Sequence, residues 1–166
     1  MLSKSDKVLG VVGSREIYSS YYSYYKFPKS TERSRKLLKA LMPMINHHYD
    51  LPNKIKFRLG THRVHFGSYS SISRVVFVAV NIDLKKFVET ICHELTHAEQ
   101  FHLGKLQVKK NNFFWMGSKG SKGTTYNSYF NSPWEVEARS KAEEVLKMIT
   151  SEQWEELAVI DISGRL

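Results

Sequence analysis

Apolar residues recur along this chain with two different periods. Between positions 31 and 48, Leu37, Leu38, Leu41 and Ile45 return every three or four residues, with His48 closing the stripe, while Arg33, Arg35, Lys36 and Lys39 fall largely outside it. That pattern predicts a helix with one buried face, which Pro43 should kink or end. After a turn at 50–53, the period drops to two. Residues 54–59 alternate basic and apolar side chains, as a half-buried strand does, and Gly60-Thr61 is expected to turn the chain into a second strand at 63–66. A polar connection, 67–73, then leads to Val75-Val76-Phe77-Val78-Ala79-Val80, the strongest strand signal in the chain. The helical period returns with Phe87, Ile91, Leu95 and Ala98, where Asp83 is placed to cap the start and Gly104 to end it.

Further on, 106–108 and 113–116 flank Lys109-Lys110-Asn111-Asn112 in a hairpin pattern, and the glycine- and lysine-rich stretch 117–123 reads as a mobile loop. Pro133 opens a helix whose narrow apolar face is Ala138, Ala142, Val145 and Ile149, and a shorter helix follows at 151–157. Near the start, the tyrosine-rich run 18–26 could stack on bases, but it is expected to cover a hydrophobic core.

Composition narrows the class. At 166 residues and 42% hydrophobic content, one domain spanning 1–166 can bury a core without staples. No stretch approaches the ~18 continuous apolar residues of a membrane span, and the apolar patch at 8–12 is too brief for a secretory signal. A single cysteine, Cys92, excludes an internal disulfide and fits a reducing compartment. A soluble, cytoplasmic monomer without membrane contact is the expectation. The net charge of +9 is unevenly spread, because residues 1–132 carry 21 of the 25 Lys and Arg but only 8 of the 16 Asp and Glu. Such a surface would attract DNA or RNA without sequence preference, and Lys109, Lys110, Lys119 and Lys122 are candidates to hold phosphates.

The candidate chemistry lies in the second helix. His93-Glu94-Leu95-Thr96-His97 has the pattern H-E-x-x-H. Two histidines four apart on a helix lie about one turn from each other, so both imidazoles can reach a single metal ion. Glu94, beside His93, is then placed to take a proton from a metal-activated water. Cys92 points about 100° away from His93 and is expected to be packed rather than metal-bound.

A catalytic zinc site takes three protein ligands, so His93 and His97 need a partner. Positions 103–134 contain no Asp, Glu, His or Cys, and no histidine follows His102. A metzincin would have its third histidine where Leu103 stands and a glycine where Gln100 stands, and SprT-type proteases also use a later histidine. What remains is a glutamate of the helix after Pro133, either Glu135 or Glu137. These lie about 200° apart on a helix, so only one can face the metal. The apolar phase of that helix puts Glu135 nearer the buried face, although its first turn can be rotated to favour Glu137.

H-E-L-T-H followed by P-W-E-V-E-A-R-S-K-A resembles the gluzincin arrangement of thermolysin-like enzymes, and is similar to small HExxH proteins of phages and to ImmA/IrrE-type metallopeptidases, over roughly residues 75–146. Lys141 stands where the ImmA/IrrE pattern has phenylalanine, and no aspartate follows four residues after Glu137. In that arrangement the ligand glutamate directly precedes an alanine, so the resemblance selects Glu137. It implies a zincin-like α+β fold, in which a small twisted sheet offers an edge strand from within 54–80 to an extended peptide. It further implies a Zn2+-dependent metallopeptidase with His93, His97 and Glu137 as ligands, Glu94 as general base, a protein or peptide as substrate, and, for a phage protein, the host cytoplasm as location. Tyr126, Tyr129 or Arg139 would supply an oxyanion donor. The competing expectation is a binding protein that grips nucleic acid or a host protein on the same scaffold, with zinc structural or vestigial.

Overall fold

A computed structural model describes residues 9–12, 16–18, 28–61, 65–120 and 125–163, with side chains from residue 31 onward. Over these residues the fold is α+β, with a five-stranded sheet, a separate three-stranded sheet and five helices.

The five-stranded sheet is built from β1 (Leu9–Val12), β2 (Glu16–Tyr18), β3 (Ile55–Gly60), β4 (Gly67–Ser70) and β5 (Val75–Ala79) in the order β2-β1-β3-β5-β4. β3 and β5 run parallel with Phe57 opposite Val76 and Leu59 opposite Val78, while the other pairs are antiparallel. The alternation read in 54–59 holds, since Ile55, Phe57 and Leu59 are buried and Lys56 and Arg58 are exposed. Of the expected strand at 63–66, residues 65 and 66 are not strand, and residues 63 and 64 lie outside the described residues. A strand lies at Gly67–Ser70, inside the stretch read as a polar connection. Its sequence, Gly-Ser-Tyr-Ser, has little strand propensity, and pairing with β5 across the turn at 71–74 is what makes it a strand.

Helices cover one face of this sheet. α1 (Pro28–Ile45) passes Pro43 by two residues before a 3-10 turn, Asn46–His48. α2 (Leu84–His102) starts where Asp83 accepts a hydrogen bond from the Lys86 amide at 2.9 Å, and ends before Gly104, whose φ is +71°. The chain then forms the hairpin expected from the pattern, β6 (Leu106–Lys109) and β7 (Asn112–Trp115), and adds β8 (Ser118–Gly120) where a loop was expected. Both turns have two central residues with positive φ, Lys110-Asn111 and Met116-Gly117, which match the twist of antiparallel strands. A short α3 (Tyr126–Phe130), capped by Thr125, precedes α4 (Pro133–Met148) and α5 (Ser151–Ser163), the last extending six residues beyond its predicted end.

One core joins α1, β3, β5, α2, α4 and α5 through Leu37, Leu41, Phe57, Val76, Phe87, Ile91, Leu95, Ala142, Val145 and Leu157. The extra length of α5 has a purpose within it. Arg33 and Asp161 form a buried ion pair between α1 and α5, and Arg33 Nη1 also donates to the carbonyl of Ile82 at 3.2 Å. The tyrosine-rich run 18–26, read as a cover for the core, lies outside the residues whose side chains are described.

Candidate metal centre

α2 carries His93, Glu94 and His97 toward the first turn of α4. The two imidazoles meet edge to face with Nε2 atoms 3.1 Å apart. A carboxylate closes the group, and it belongs to Glu135: its Oε2 is 3.2 Å from His93 Nε2 and its Oε1 is 3.3 Å from His97 Nε2. Among the described residues these three are the one cluster of potential metal ligands. The expectation that Glu137 would join the histidines is corrected here. Glu137 is turned aside, accepting from Lys105 Nζ and from Gln100 Nε2, both at 2.8 Å. The reason is helical phase: Glu135 shares the buried face with Ala138, Ala142 and Val145, whereas Glu137 lies about 200° away.

Two structures hold Glu135 in place. Trp134, 1% exposed, stacks on Phe113 at 5.5 Å and leans on Trp115, so the three-stranded sheet clamps the first turn of α4. A Cβ at Gly120 would lie 2.8 Å from the Trp134 ring, so β8 passes close only because it has a glycine there. From the other side, Gln100 on α2 donates to the Trp134 carbonyl at 2.9 Å.

Electrostatics give the group its character. Burial opposes ionisation of Glu135, but hydrogen bonds with His93 and His97, and one donated by the Tyr129 hydroxyl, hold its pKa well below the usual carboxylate range. Burial likewise disfavours a charge on His97, yet Glu135 and Glu94 outweigh it and raise its pKa. Glu94 is 6% exposed and its pKa is raised, first by burial, with Glu135 adding to the rise and the two histidines opposing it. Tyr129 is pushed upward by burial and by the neighbouring carboxylates.

The donor set fits a small tetrahedral cation. Ligands about 2.0 Å from a tetrahedral zinc stand about 3.3 Å from one another, and the three separations here are 3.1, 3.2 and 3.3 Å. Two imidazole nitrogens and a carboxylate so close repel one another unless a cation or proton lies among them. His102 is not a fourth member, because it faces Asp50 at 3.7 Å. Of the three oxyanion candidates, Tyr129 reaches a site residue, Glu135. Tyr126 is 76% exposed and stacks on Phe130, and the Arg139 guanidinium lies 3.5 Å from the centre of the Phe130 ring.

β4, the outer strand of the larger sheet among the described residues, runs beside Glu94. A Cβ on Gly67 would lie 2.5 Å from Thr90 Cγ2, 2.9 Å from Glu94 Cγ and 3.0 Å from Glu94 Oε1, so strand backbone and candidate base are in van der Waals contact. Elsewhere Lys109 and Lys119 are exposed on the outer face of the small sheet, with Lys109 Nζ 5.6 Å from the Phe114 ring centre, while Lys122 lies outside the described residues. Among the described residues no helix is long and apolar enough to cross a membrane. No protein-family model, curated protein or solved structure matches this chain.

Gln100 is the residue that reading the sequence missed. Its signal was available: a polar side chain three residues after His97, on the same face of the helix, where only a partnered polar group can be buried.

Proposed function

We propose that this chain is a zinc-dependent peptide hydrolase of gluzincin type, with His93, His97 and Glu135 as ligands and Glu94 as general base. The observation that carries the proposal is the triangle of donor atoms with edges of 3.1–3.3 Å, made by three protein ligands and flanked by a buried glutamate. Among the described residues three ligands rather than four converge, which would leave a coordination position for chemistry and favours a catalytic over a structural site. Zinc held there supplies a Lewis acid that lowers the pKa of a water and polarises a carbonyl.

The chain's own residues do the rest. Glu94 would take the water's proton and return it to the departing amine; burial, the first cause, raises its pKa above the usual carboxylate value. Tyr129 orients Glu135, and it can serve an oxyanion only by exchanging that hydrogen bond for one to substrate. β4 offers the strand edge nearest Glu94, along which an extended peptide would pair.

Elemental analysis should find near-stoichiometric zinc, lost in His93→Ala. Glu94→Gln should keep the metal and abolish peptide hydrolysis. Equal hydrolysis by wild type and Glu94→Gln would overturn the assignment.

The rival reading, a nucleic-acid binder on this scaffold, draws on the outer face of the small sheet, where Lys109 and Lys119 flank Phe114. Both readings combine if the basic surface brings the enzyme to nucleic-acid-bound protein. Binding would then be sequence-independent and salt-dependent, with Kd about 10⁻⁴–10⁻⁶ M at physiological salt. An anisotropy titration at two salt concentrations tests this, and no binding at low salt reduces the charge to a solubility feature.

A further inference from the structure

Three side chains behind His97 form a hydrogen-bonded row with it. Lys105 Nζ donates to Glu137 Oε1 at 2.8 Å, Gln100 Nε2 donates to Glu137 Oε2 at 2.8 Å, and Gln100 Oε1 lies 2.9 Å from His97 Nδ1. Gln100 is 1% exposed, so water does not readily substitute for its partners, while the Lys105–Glu137 pair at the end of the row is about one-third exposed.

The direction of each bond follows from what each group can do. An ammonium only donates and a carboxylate only accepts, so the Glu137 oxygen facing Gln100 requires an N–H from it. The same Gln100 nitrogen donates to the Trp134 carbonyl at 2.9 Å, another group that only accepts. Both amide hydrogens are therefore committed, and the amide cannot flip without breaking two bonds. Its oxygen must face His97, where it accepts the Nδ1 proton. A neutral imidazole with its proton on Nδ1 has a bare Nε2, the atom that stands 3.1 Å from His93 Nε2 and 3.3 Å from Glu135.

We propose that Lys105, Glu137 and Gln100 are positioning residues that select the Nδ1–H tautomer of His97 and aim its Nε2 at the metal. Glu137 thus serves the site from two hydrogen bonds away, as the fixed acceptor that orients Gln100. The Lys105 ammonium at 2.8 Å and the Gln100 amide at 2.8 Å each offer Glu137 an N–H, one to each carboxylate oxygen. This inference rests on the zinc assignment above.

The test is a swap of polarity, read by competition titration of zinc and by the melting temperature of the metal-free protein. Gln100→Leu removes the acceptor, and zinc affinity should fall about ten- to hundredfold, the usual range for losing a group that orients a histidine ligand. Glu137→Gln replaces the fixed acceptor by an amide that can donate, and it should weaken zinc binding although position 137 does not touch the metal. Gln100→Glu keeps the acceptor on His97 but sets two carboxylates against each other, and it should also weaken binding. Combining Gln100→Glu with Glu137→Gln restores a donor facing an acceptor between positions 100 and 137, though the Trp134 carbonyl still loses its donor, and zinc should bind more tightly to the double variant than to the worse single variant. A merely structural role would lower all melting temperatures and leave zinc affinity unchanged. The inference is overturned if Gln100→Leu and Glu137→Gln bind zinc within twofold of wild type, or if the double variant is no better than the worse single. Failure of wild type itself to bind zinc would instead defeat the zinc assignment, so the two failures are distinguishable.

Discussion

Gly67→Ala is the most informative single change outside the ligands. The added Cβ would stand 2.5 Å from Thr90 Cγ2 and 2.9 Å from Glu94 Cγ, against the ~3.5–4.0 Å at which carbon atoms rest. About 1 Å of overlap must therefore be relieved. Gly67 cannot simply retreat, because it pairs with Val78 and the neighbouring Phe66 carbonyl accepts from the Ala79 amide at 2.8 Å. Overpacking of this kind costs about 1–3 kcal/mol. For a domain of this size each kcal/mol moves Tm by about 2–4 °C, so a fall of about 2–12 °C is expected. Glu94 must also shift, and displacing a catalytic group by about 1 Å costs on the order of 100-fold in rate. Thr90→Ser in the same chain deletes the nearest methyl but leaves the contact with Glu94. Differential scanning calorimetry and kcat/KM on a peptide library should then separate the two effects. The double variant should regain part of its Tm, measured against Thr90→Ser alone, while its activity stays low. A Gly67→Ala protein with wild-type Tm and activity would refute the close approach of strand and base.

Three other outcomes follow from the same structure. Glu135→Ala should abolish near-stoichiometric zinc binding in elemental analysis, whereas His102→Ala, altering a residue that faces Asp50, should leave it intact. Arg33→Ala or Asp161→Ala should each cost about 3–5 kcal/mol in urea unfolding, because either removes one half of a buried ion pair. Arg33→Met with Asp161→Leu should cost less than either single change. Burial pushes the Cys92 thiol up to about 12, so it should resist alkylation at pH 8.5 until the protein unfolds, as a timed reaction with iodoacetamide would check. With the folded pKa raised, the stabilisation from this thiol is complete below the unfolded value of about 8.5 and is lost as pH rises from there toward 12.

Local signals made much of this readable in advance. α2 was legible from its period, cap and terminal glycine, and with it His93, Glu94 and His97, because H-E-x-x-H needs only one helix to bring three residues together. The candidate ligand from α4 was harder, since it depends on how two helices are phased against each other. The apolar stripe of α4 pointed to Glu135, and the likeness to E-x-E-A pointed to Glu137; the burial of Ala138, Ala142 and Val145 decided the phase. β4 and β8 were not legible. Gly-Ser-Tyr-Ser and Ser-Lys-Gly have no strand pattern of their own, and they become strands through partners, β5 for one and β7, under Trp134, for the other. The last turns of α5 were missed because their anchor, Asp161, answers an arginine 128 residues earlier.

That separation bears on how the chain reaches its native state. Arg33 ties α1 to α5 and, through the carbonyls of Val80 and Ile82, to the entrance of α2. On a ribosome, residue 33 is made long before residue 161, and a guanidinium buried without its anion is costly. The helices holding the candidate donors can form early, while the core they share with α5 through Leu157 is filled only once α5 is made. Contacts so distant in sequence slow folding, because the loop between them must be closed before they stabilise anything. The ion pair therefore closes a loop of 128 residues, so the packing of α1 against α5 is a contact that forms only after the segments carrying the candidate site lie between its two ends.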